Sequence, residues 1–290
     1  MINVLVLGAN GQLGSDMCKS LRAHREIHVI LHTRDDFDLV SGENLPDYLS
    51  QYSLNFLINC TGLTNTGLAE ENQDLANSLN SKVPKTLAQY CSSRDIILFH
   101  FSTDYVFDGE QRRPYTEDDL PMPLNHYGIS KLNGEKYVLE NCVKSFVIRI
   151  SSLYGTSGAS GKKLNFIDYI IEQGALQKPV KMVTDQFMVP THTMDVVALI
   201  IYIIEYKIKK YGLYHGVPSG SCSWFEFATK TYEFLGIKNK LIPLSLNDFP
   251  SKFKRPVYSV LCNNKVQGIL GFPHWEESLK MYLIKKGLLK

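Results

Sequence analysis

Two residues of types that can move a proton, Tyr127 and Lys131, lie four positions apart in a stretch with a helical pattern. On a helix, residues i and i+4 lie on one face, so the phenol and the ammonium group are neighbours. A free tyrosine loses its proton near pH ~10, and an adjacent positive charge favours the phenolate. The pair can therefore exchange a proton with a substrate oxygen near neutral pH. The alternative is a solvated helix face on which Lys131 pairs with Glu135, one further turn along.

The segment before this pair favours the chemical interpretation. Residues 96–101 are mostly apolar and are typical of a buried parallel strand. Ser102, Thr103 and Asp104 follow the strand directly. Open α/β sheets bind their ligands at the carboxyl ends of the strands. We therefore expect these polar groups to share a ligand site with the tyrosine–lysine pair.

A glycine-rich turn, G-A-N-G-Q-L-G at 8–14, follows the first predicted strand, residues 4–7. In a dinucleotide-binding turn the first glycine permits a tight bend, and the second lets the backbone approach a pyrophosphate. The third lets the next helix pack closely on the sheet. The N-terminus of that helix then faces the phosphates. The position of the turn between strand and helix predicts a dinucleotide cofactor, although such glycines can also form an ordinary turn.

The end of the second predicted strand, residues 27–31, bears on the choice of cofactor. An acidic residue there would bind the ribose 2′-hydroxyl of NAD, whereas an arginine suits the 2′-phosphate of NADP. Thr33 and Arg34 therefore favour NADPH, with NADH kept as the alternative because three aspartates follow within four positions. An exposed loop residue is the other interpretation of Arg34.

The first half of the chain alternates strands and helices, which predicts a doubly wound parallel α/β sheet. Two further strands are predicted at 56–60 and 146–150, and a long helical stretch at roughly 69–91. Polar positions inside that helix are interpreted as ordinary ones. The sheet therefore has at least five parallel strands, with helices covering both faces.

The pattern becomes irregular after residue 155. We expect residues 1–155 to form the dinucleotide-binding domain and residues 156–290 a smaller substrate-binding lobe, with about 180–216 returning to the first domain. The elements predicted in this lobe are a Ser/Gly/Lys-rich loop at 156–163, a helix at 165–172, a strand at 180–183, an apolar helix at 193–204 capped by Thr193, a helix ending at 235 that starts with a Ser223–Glu226 capping box, a loop at 243–256 and a closing helix at 275–284.

Charge and cysteine content argue against several classes of function. The formal net charge is +2, and no long basic run is interleaved with aromatic residues, so nucleic-acid and membrane binding have little support. The six cysteines show neither C-x-x-C nor zinc-ligand spacing, as in a reduced cytoplasmic protein, and no metal site is predicted. No signal-peptide pattern is present, and the most apolar segment, 196–204, is far shorter than the ~20 residues that span a bilayer.

With these features together, the sequence resembles the extended short-chain dehydrogenase/reductases and, within them, the dTDP-4-dehydrorhamnose reductase family. The resemblance covers nearly the whole chain. The combination of S-T-D-Y-V-F with Y-G-x-S-K is far more specific than a glycine turn alone. The matching segments are G-A-N-G-Q-L-G at 8–14, S-T-D-Y-V-F-D-G at 102–109, P-L-N-H-Y-G-I-S-K at 123–131, V-T-D-Q-F at 183–187, G-L-Y-H at 212–215 and R-P-x-x-S at 255–259.

The resemblance implies NADPH-dependent reduction of the C4 keto group of a nucleotide-activated 4-keto-6-deoxy sugar destined for a cell-surface polysaccharide. Tyr127 would protonate the C4 oxygen, and Thr103 would donate a hydrogen bond to the same oxygen. Lys131 would hold the nicotinamide ribose and lower the pKa of Tyr127. The implied contacts to the sugar nucleotide are Thr103, Asp104, Tyr105, Ser152, Gln186 and Arg255. The implied cofactor contacts, besides Tyr127 and Lys131, are Gly8, Asn10, Gly11, Gln12, Leu13, Arg34, Asp38, Leu39, Thr61, Gly62, Leu63 and Phe101.

The sequence departs from the family at several positions. Gly67 and Leu68 stand where members usually have Asp-Lys, and Ile150 and Ser152 replace the Thr and Trp of the family's R-T-S-W segment. Because that Trp lies against the sugar, its absence predicts a sugar that is bulkier or differently substituted than the rhamnose precursor. The alternative is the ordinary substrate, with neighbouring side chains filling the space. Members can also bind magnesium through an acidic residue of the first helix, where Asp16 is the candidate, but we do not predict a metal there.

Two other functions stay open on the sequence. A nucleotide-sugar dehydratase or epimerase can share this fold. The dehydratases of this superfamily resemble T-D-E, however, whereas Asp104 is followed here by Tyr105. A non-catalytic regulatory subunit would keep the fold and the cofactor, but intact Thr103, Tyr127 and Lys131 argue against it. The oligomeric state is also open, with a homodimer as one possibility.

Overall fold

A computed structural model describes residues 1–41, 44–156, 164–248 and 253–290 of the chain. The strands, in chain order, are β1 (Ile2–Leu7), β2 (Ile27–His32), β3 (Phe56–Asn59), β4 (Ile97–Thr103), β5 (Ser145–Ile150), β6 (Leu153–Tyr154), β7 (Val180–Val183), β8 (Phe187–Met188), β9 (Thr191–His192), β10 (Gly212–His215), β11 (Cys222–Ser223) and β12 (Leu241–Leu244). The helices are α1 (Gln12–Leu21), α2 (Leu45–Ser50), α3 (Thr66–Glu71), α4 (Gln73–Asn77), α5 (Val83–Ser93), α6 (His126–Asn141), α7 (Phe166–Ala175), α8 (Thr193–Glu205), α9 (Trp224–Leu235), α10 (Asn264–Gln267) and α11 (Trp275–Lys285).

Six strands form one parallel sheet in the order β10-β5-β4-β3-β1-β2. The apolar run Val4–Leu7 in β1 is fully buried, because helices cover both faces of the sheet. The chain runs from β1 to β2 on one side and then crosses to β3 on the other, so the order reverses between β1 and β3. This confirms the predicted doubly wound sheet and places a ligand crevice at the carboxyl ends of these strands.

The two faces of the sheet have separate hydrophobic cores. One core joins α1 and α8 to the sheet through residues such as Met17, Leu21 and Ile200. The other joins α5 and α6 to the opposite face through residues such as Leu87 and Val138. These helices are fixed against the sheet over their whole length, so side chains at their ends are held at defined positions relative to the strand ends.

The second half of the chain divides between the main sheet and a smaller lobe. The segment 180–216 was expected to return to the first domain. Two of its elements do so: α8 packs on α1, and β10 pairs with β5. β7 instead pairs with β12, and its Val180 and Met182 pack on α9. The return therefore begins at α8, later than predicted, because the apolar face of β7 is buried within the smaller lobe.

Three other sequence-based predictions about secondary structure need correction or confirmation. The helical stretch predicted at 69–91 is interrupted once, at Asn72 between α3 and α4, and then continues without a gap as α4, a π-helical turn at Ser78–Lys82 and α5. The break follows from Asn72, whose side chain accepts a hydrogen bond from the backbone N–H of Leu75 at 3.0 Å. The loop at 243–256 begins later than predicted because β12 runs to Leu244. The capping box of α9 is confirmed.

The start of α8 also differs from the prediction. Thr193 is its first residue rather than its cap, and the threonine hydroxyl donates to Asp16 Oδ2 at 2.6 Å. Asp16 also accepts from Thr156, at 2.8 Å, so this acidic residue of α1 is engaged by two hydroxyl groups. The greater part of the predicted loop 156–163 lies outside the described residues. Among the helices of the described ranges, none is long and apolar enough to cross a membrane.

Candidate active site

The carboxyl end of β4 and the first turns of α6 bring Thr103, Tyr127 and Lys131 to one small cavity of about 250 Å³. α6 begins after Asn125, whose side chain accepts the backbone N–H of Gly128 at 2.9 Å. A side-chain carbon at Gly128 would lie 2.2 Å from the carbonyl oxygen of Tyr105. Only glycine therefore lets α6 approach the end of β4 this closely.

Lys131 is directed into the cavity rather than along the helix surface. It is 4% exposed, and its Nζ donates to the Phe101 carbonyl oxygen at 2.5 Å. Glu135, the rival partner on the same helix face, instead binds Arg149, with Nη2 and Oε2 2.7 Å apart. Burial lowers the pKa of Lys131 to about 8, while the charge of Glu135 raises it. A solvated Lys131–Glu135 pair is therefore not what the structure contains.

Tyr127 is half-buried and lines this cavity. Burial raises its pKa, the Thr103 side chain lowers it, and the charges of Asp104 and Tyr105 raise it further. The family resemblance implied that Lys131 lowers this pKa, but the ammonium group of Lys131 is directed at the Phe101 carbonyl. A phenol with a raised pKa is protonated at neutral pH, which is the form that can donate a proton.

Asn80 is a site residue that was not predicted from the sequence. It lies in the π-helical turn, is fully buried, and accepts the backbone N–H of Leu63 at 2.8 Å. Its amide group donates to the Leu63 carbonyl at 3.1 Å and to Ser130 Oγ at 3.0 Å. Asn80 thus fixes the turn at Thr61, Gly62 and Leu63 against α6. The only sequence signal was an asparagine within a helical stretch, which had been interpreted as an ordinary polar position.

The glycine-rich turn has the geometry that a dinucleotide requires. Gly8 has φ +75°, in the left-handed region, and a side-chain carbon at Gly14 would lie 2.1 Å from the carbonyl oxygen of Gly8. Gly11 caps α1 without a side chain of its own, so backbone N–H groups form the start of the helix. Gly11, Gln12 and Leu13 line the small cavity together with Thr61 and Phe101. Asn10 is exposed beside this turn.

The predicted adenosine side of the site already carries an ion pair. Arg34 donates to Asp38 Oδ2 through Nη2 at 2.9 Å, and its side chain is 79% exposed. The backbone N–H of Val40 and the Arg34 side chain lower the pKa of Asp38 to about 2. Leu39 packs half-buried against the core. Arg34 is thus accessible to a 2′-phosphate, but a phosphate would compete with Asp38 for its guanidinium group.

A larger cleft of about 820 Å³ adjoins the small cavity, and Gln12 and Leu153 line both. Two predicted sugar-nucleotide contacts, Gln186 and Arg255, line this cleft. Both also contact the Tyr105 phenol, whose pKa burial raises to about 12. The Tyr105 ring meets the Tyr127 ring edge to face, with centroids 5.8 Å apart. The predicted sugar site and the tyrosine–lysine pair are therefore continuous.

The two remaining predicted contacts, Asp104 and Ser152, are placed differently from each other. Ser152 lines the small cavity beside Ile150, and its φ of +43° is unusual for a residue with a side chain. Asp104 also borders this cavity but is only 3% exposed. Its Oδ1 accepts the Thr103 hydroxyl at 3.1 Å, and its Oδ2 accepts the hydroxyls of Ser151 at 3.0 Å and of Ser259 at 2.5 Å.

A parallel doubly wound sheet, a glycine-rich turn at its first helix and a Tyr–Lys pair at its carboxyl edge define an oxidoreductase fold of the short-chain dehydrogenase/reductase class. The chain belongs to the family described as RmlD substrate binding domain, whose model matches residues 2–287. The family resemblance inferred from the sequence is thereby confirmed.

Characterised relatives align over almost the entire chain. The spore coat polysaccharide biosynthesis protein SpsK of Bacillus subtilis is 31% identical over 284 residues, covering 98% of this chain and 97% of the relative. The dTDP-4-keto-6-deoxy-D-glucose reductase of Streptomyces niveus is 32% identical, covering 95% of this chain and 94% of the relative. The crystal structure of dTDP-4-dehydrorhamnose reductase from Bacillus anthracis in complex with NADP has a TM-score of 0.92 at 33% identity, covering 98% of this chain and 100% of that one.

Proposed function

We propose that this protein is an NADPH-dependent reductase of the C4 keto group of a nucleotide-activated 4-keto-6-deoxy sugar, with NADH as an alternative cofactor. The observation that carries the proposal is the small cavity in which Tyr127, Lys131 and Thr103 meet the glycine-rich turn. Relatives named as reductases of dTDP-4-keto-6-deoxy-D-glucose and of dTDP-4-dehydrorhamnose support the substrate class. SpsK supports a role in the synthesis of a surface polysaccharide.

Tyr127 is the proton donor in this proposal. When bound, the nicotinamide cofactor supplies the hydride that reduces the carbonyl carbon. The carbonyl oxygen then gains negative charge and needs a proton donor within hydrogen-bond reach. The Tyr127 phenol, whose pKa is raised, holds its proton until that charge develops. The Tyr105 ring, packed edge to face on Tyr127, keeps the phenol facing the cavity.

Lys131 positions the cofactor in this proposal. An ammonium group has three N–H donors, and the Phe101 carbonyl accepts one of them. The other two can bind the ribose hydroxyls next to the nicotinamide. With a pKa of about 8, Lys131 is largely charged at neutral pH, which strengthens those hydrogen bonds.

The larger cleft accommodates the nucleotide part of the substrate. Its walls include Phe166 and Trp224, whose rings lie 4.7 Å apart, and Tyr169. These aromatic faces suit a nucleobase, while Lys181 and Arg255 supply positive charge for a diphosphate. Ser152 lies at the sugar end, where its small side chain leaves room for a bulkier or differently substituted ring.

Neither rival function has an observation in its favour. A dehydratase would need a second carboxylate next to Asp104, and Tyr105 stands there instead, bound to Gln186 and Arg255. A purely regulatory role would not require the close fit of Gly128 against Tyr105, which brings the tyrosine–lysine pair to the cavity. Cytoplasmic location and homodimeric assembly remain predictions. Size-exclusion chromatography with light scattering measures the oligomeric state directly.

The test is a spectrophotometric assay with purified protein, NADPH and a panel of 4-keto-6-deoxy nucleotide sugars, with products identified by NMR. Tyr127→Phe should lower kcat by ~10²–10⁴-fold, because general acid catalysis contributes that much. Its affinity for NADPH should change little, since the ring and its packing remain. Tyr137→Phe, on the same helix but outside both cavities, is the matched control and should keep wild-type turnover. Near wild-type turnover in Tyr127→Phe would refute the assignment.

A further inference from the structure

A second concave site lies at the amino end of the main sheet, opposite the edge of the proposed reaction site. Its volume is about 460 Å³, within the ~300–1,000 Å³ of sites that bind small molecules. The first residues of β1, β3 and β4 line it together with the ends of α5 and α8. β4 has seven residues at ~3.3 Å each, so its two ends, and with them the two sites, are ~20 Å apart. We call this site the amino-edge groove, and its lining includes Ile2, Ile97, Ile208, Arg94, Lys144 and Lys207.

The floor of the amino-edge groove is apolar and incompletely covered. The apolar side chains that line it at the margins of the two hydrophobic cores are Ile2, Leu54, Ile97, Ile208 and Tyr211. All five are half-buried. Their exposed parts face one concave surface, so an aliphatic chain lying there would remove apolar surface from water on several sides at once. The groove is therefore suited to the apolar part of a ligand.

The rim of the amino-edge groove is positively charged. Its lining includes four cationic side chains and one carboxylate, which leave a formal charge of +3: Arg94, Lys144, Lys207, Lys209 and Asp95. Asp95 lies 2.5 Å from Lys144, and their side chains are 79% and 42% exposed, so solvent screens this pair. α5 and α8 end at the groove, and each helix C-terminus adds about −0.5 charge. About two positive charges are left, which matches a phosphate monoester with its charge of about −1.5 to −2 at pH 7.

Lys207 has a backbone conformation that usually belongs to glycine. Its φ is +51°, and its N–H donates to the Ile204 carbonyl at 3.3 Å. The next N–H, of Ile208, donates to the Ile203 carbonyl at 3.1 Å, which completes a Schellman motif at the end of α8. The turn puts Lys207 on the rim and Ile208 on the floor, whereas glycine would make it without strain but without charge. Complementing the helix dipole accounts for Lys207 but not for Lys209, which lies beyond the last turn.

We propose that the amino-edge groove binds an amphipathic anion, the phosphate monoester of an aliphatic alcohol. The alkyl chain lies on the apolar floor, and the phosphate meets the rim. Arg94 presents a guanidinium fork that suits two phosphate oxygens. The ammonium groups of Lys144, Lys207 and Lys209 add point charges around it. Because the groove is one strand length from the reaction site, this ligand binds independently of the cofactor and of the sugar nucleotide.

Calorimetry with hexyl, octyl and decyl phosphate, each below the concentration at which it forms micelles, tests the proposal on the full chain with and without NADP. We expect one ligand per chain and a Kd that tightens about fourfold for each added CH₂ group until the groove is filled. Inorganic phosphate and octanol each supply one part of the ligand and should bind at least ~10-fold more weakly than octyl phosphate. Octanol that binds as tightly as octyl phosphate, or many ligands per chain, would overturn the proposal. A tenfold weaker Kd in the presence of NADP would also overturn it, because the ligand would then lie at the reaction site.

Lys207→Met/Lys209→Met removes two charges of the rim and nearly keeps the length of the side chains. Each exposed ion pair contributes up to about fivefold in affinity, so the Kd for octyl phosphate should weaken by ~5–25-fold. Lys238→Met/Lys240→Met is the matched control, because these two exposed lysines have the same spacing but lie outside the groove, in the smaller lobe. An equal loss of affinity in the control would indicate attraction by overall charge and overturn the site. If the first double variant does not fold, Arg94→Met tests the rim, and an unchanged Kd there would overturn the proposal.

Sedimentation with vesicles of phosphatidylcholine and phosphatidylglycerol distinguishes a dissolved ligand from a membrane surface. Binding to the vesicles without any binding of monomeric alkyl phosphate would overturn the proposal and assign the amino end of the sheet to a membrane surface. Binding of octyl phosphate that Lys207→Met/Lys209→Met weakens, with the affinity for NADP unchanged, would support it.

Discussion

Replacing Arg149 by methionine tests the buried ion pair that fixes α6, the helix of Tyr127 and Lys131, to the sheet. Arg149 in β5 and Glu135 in α6 are each 2% exposed. Arg149 Nε donates to Glu135 Oε1 at 2.9 Å and Nη2 to Oε2 at 2.7 Å, and the guanidinium group lies 5.0 Å from the centre of the Phe107 ring. Methionine keeps most of the apolar length of the side chain and can pack on Phe107, but it has no donor for the carboxylate.

The expected loss of stability follows from the charge that stays behind. Without Arg149 the buried Glu135 carboxylate loses both hydrogen bonds of the ion pair, and the nearby Lys131 is held by the Phe101 carbonyl. Removing one partner of a buried pair costs ~3–5 kcal/mol. That is a large share of the ~5–15 kcal/mol by which folded proteins are stable. The double substitution Arg149→Met/Glu135→Leu removes both charges. It should recover most of the loss, because apolar replacement of a whole buried pair is often neutral.

Urea unfolding followed by circular dichroism and by tryptophan fluorescence measures these differences. Lys144→Met is the matched control, because Lys144 and Asp95 also form an ion pair, at 2.5 Å, but their side chains are 42% and 79% exposed. Exposed pairs contribute only ~0–1 kcal/mol. The free energy of unfolding could fall by less than ~1 kcal/mol in Arg149→Met, or by no more than in Lys144→Met. Either result would show that the Arg149–Glu135 pair does not hold α6 against the sheet. The same conclusion would follow if the double variant were less stable than Arg149→Met.

Three further predictions concern the cofactor, the sugar and pH. Arg34→Ala should raise the KM for NADPH more than that for NADH, because Arg34 is the exposed cation at the predicted 2′ position; equal changes in steady-state assays would contradict this. Ser152→Trp should shift the ratio of kcat/KM values toward dTDP-4-dehydrorhamnose by roughly 10–200-fold; a wild type that already prefers this sugar would rule out the larger substrate. Burial lowers the pKa of His192 to about 4, so between pH ~6.5 and 4 the unfolded chain binds a proton that the folded one does not. Stability should therefore fall with decreasing pH in that window, by up to ~1.4 kcal/mol per unit from this group, and His192→Asn should flatten the slope measured by urea unfolding at pH 7, 6 and 5.

Five of the six strands of the main sheet, all but β10, could be predicted from the sequence because each of them has a local signature. Buried parallel strands read as continuous apolar runs, as at Val4–Leu7, and the glycine spacing after β1 marks the cofactor turn independently of anything else in the chain. The partner of β7 could not be predicted in this way. β12 is a short strand that contains Pro243, and both β7 and β12 pack on α9 in the smaller lobe.

The candidate site shows the same division between local and long-range information. Spacing along α6 places Lys131 and Glu135 on one face, and this spacing fits a surface ion pair as well as it fits a catalytic lysine. The hydrogen bond from Arg149 to Glu135 distinguishes these two interpretations. Arg149 is remote from Lys131 in sequence and reaches Glu135 only once β5 lies beside α6. Because Glu135 is bound to Arg149, the Lys131 ammonium group donates to the Phe101 carbonyl instead and lies in the cavity. The buried pair therefore does more than stabilise the fold, because it releases the lysine that the proposed reaction needs.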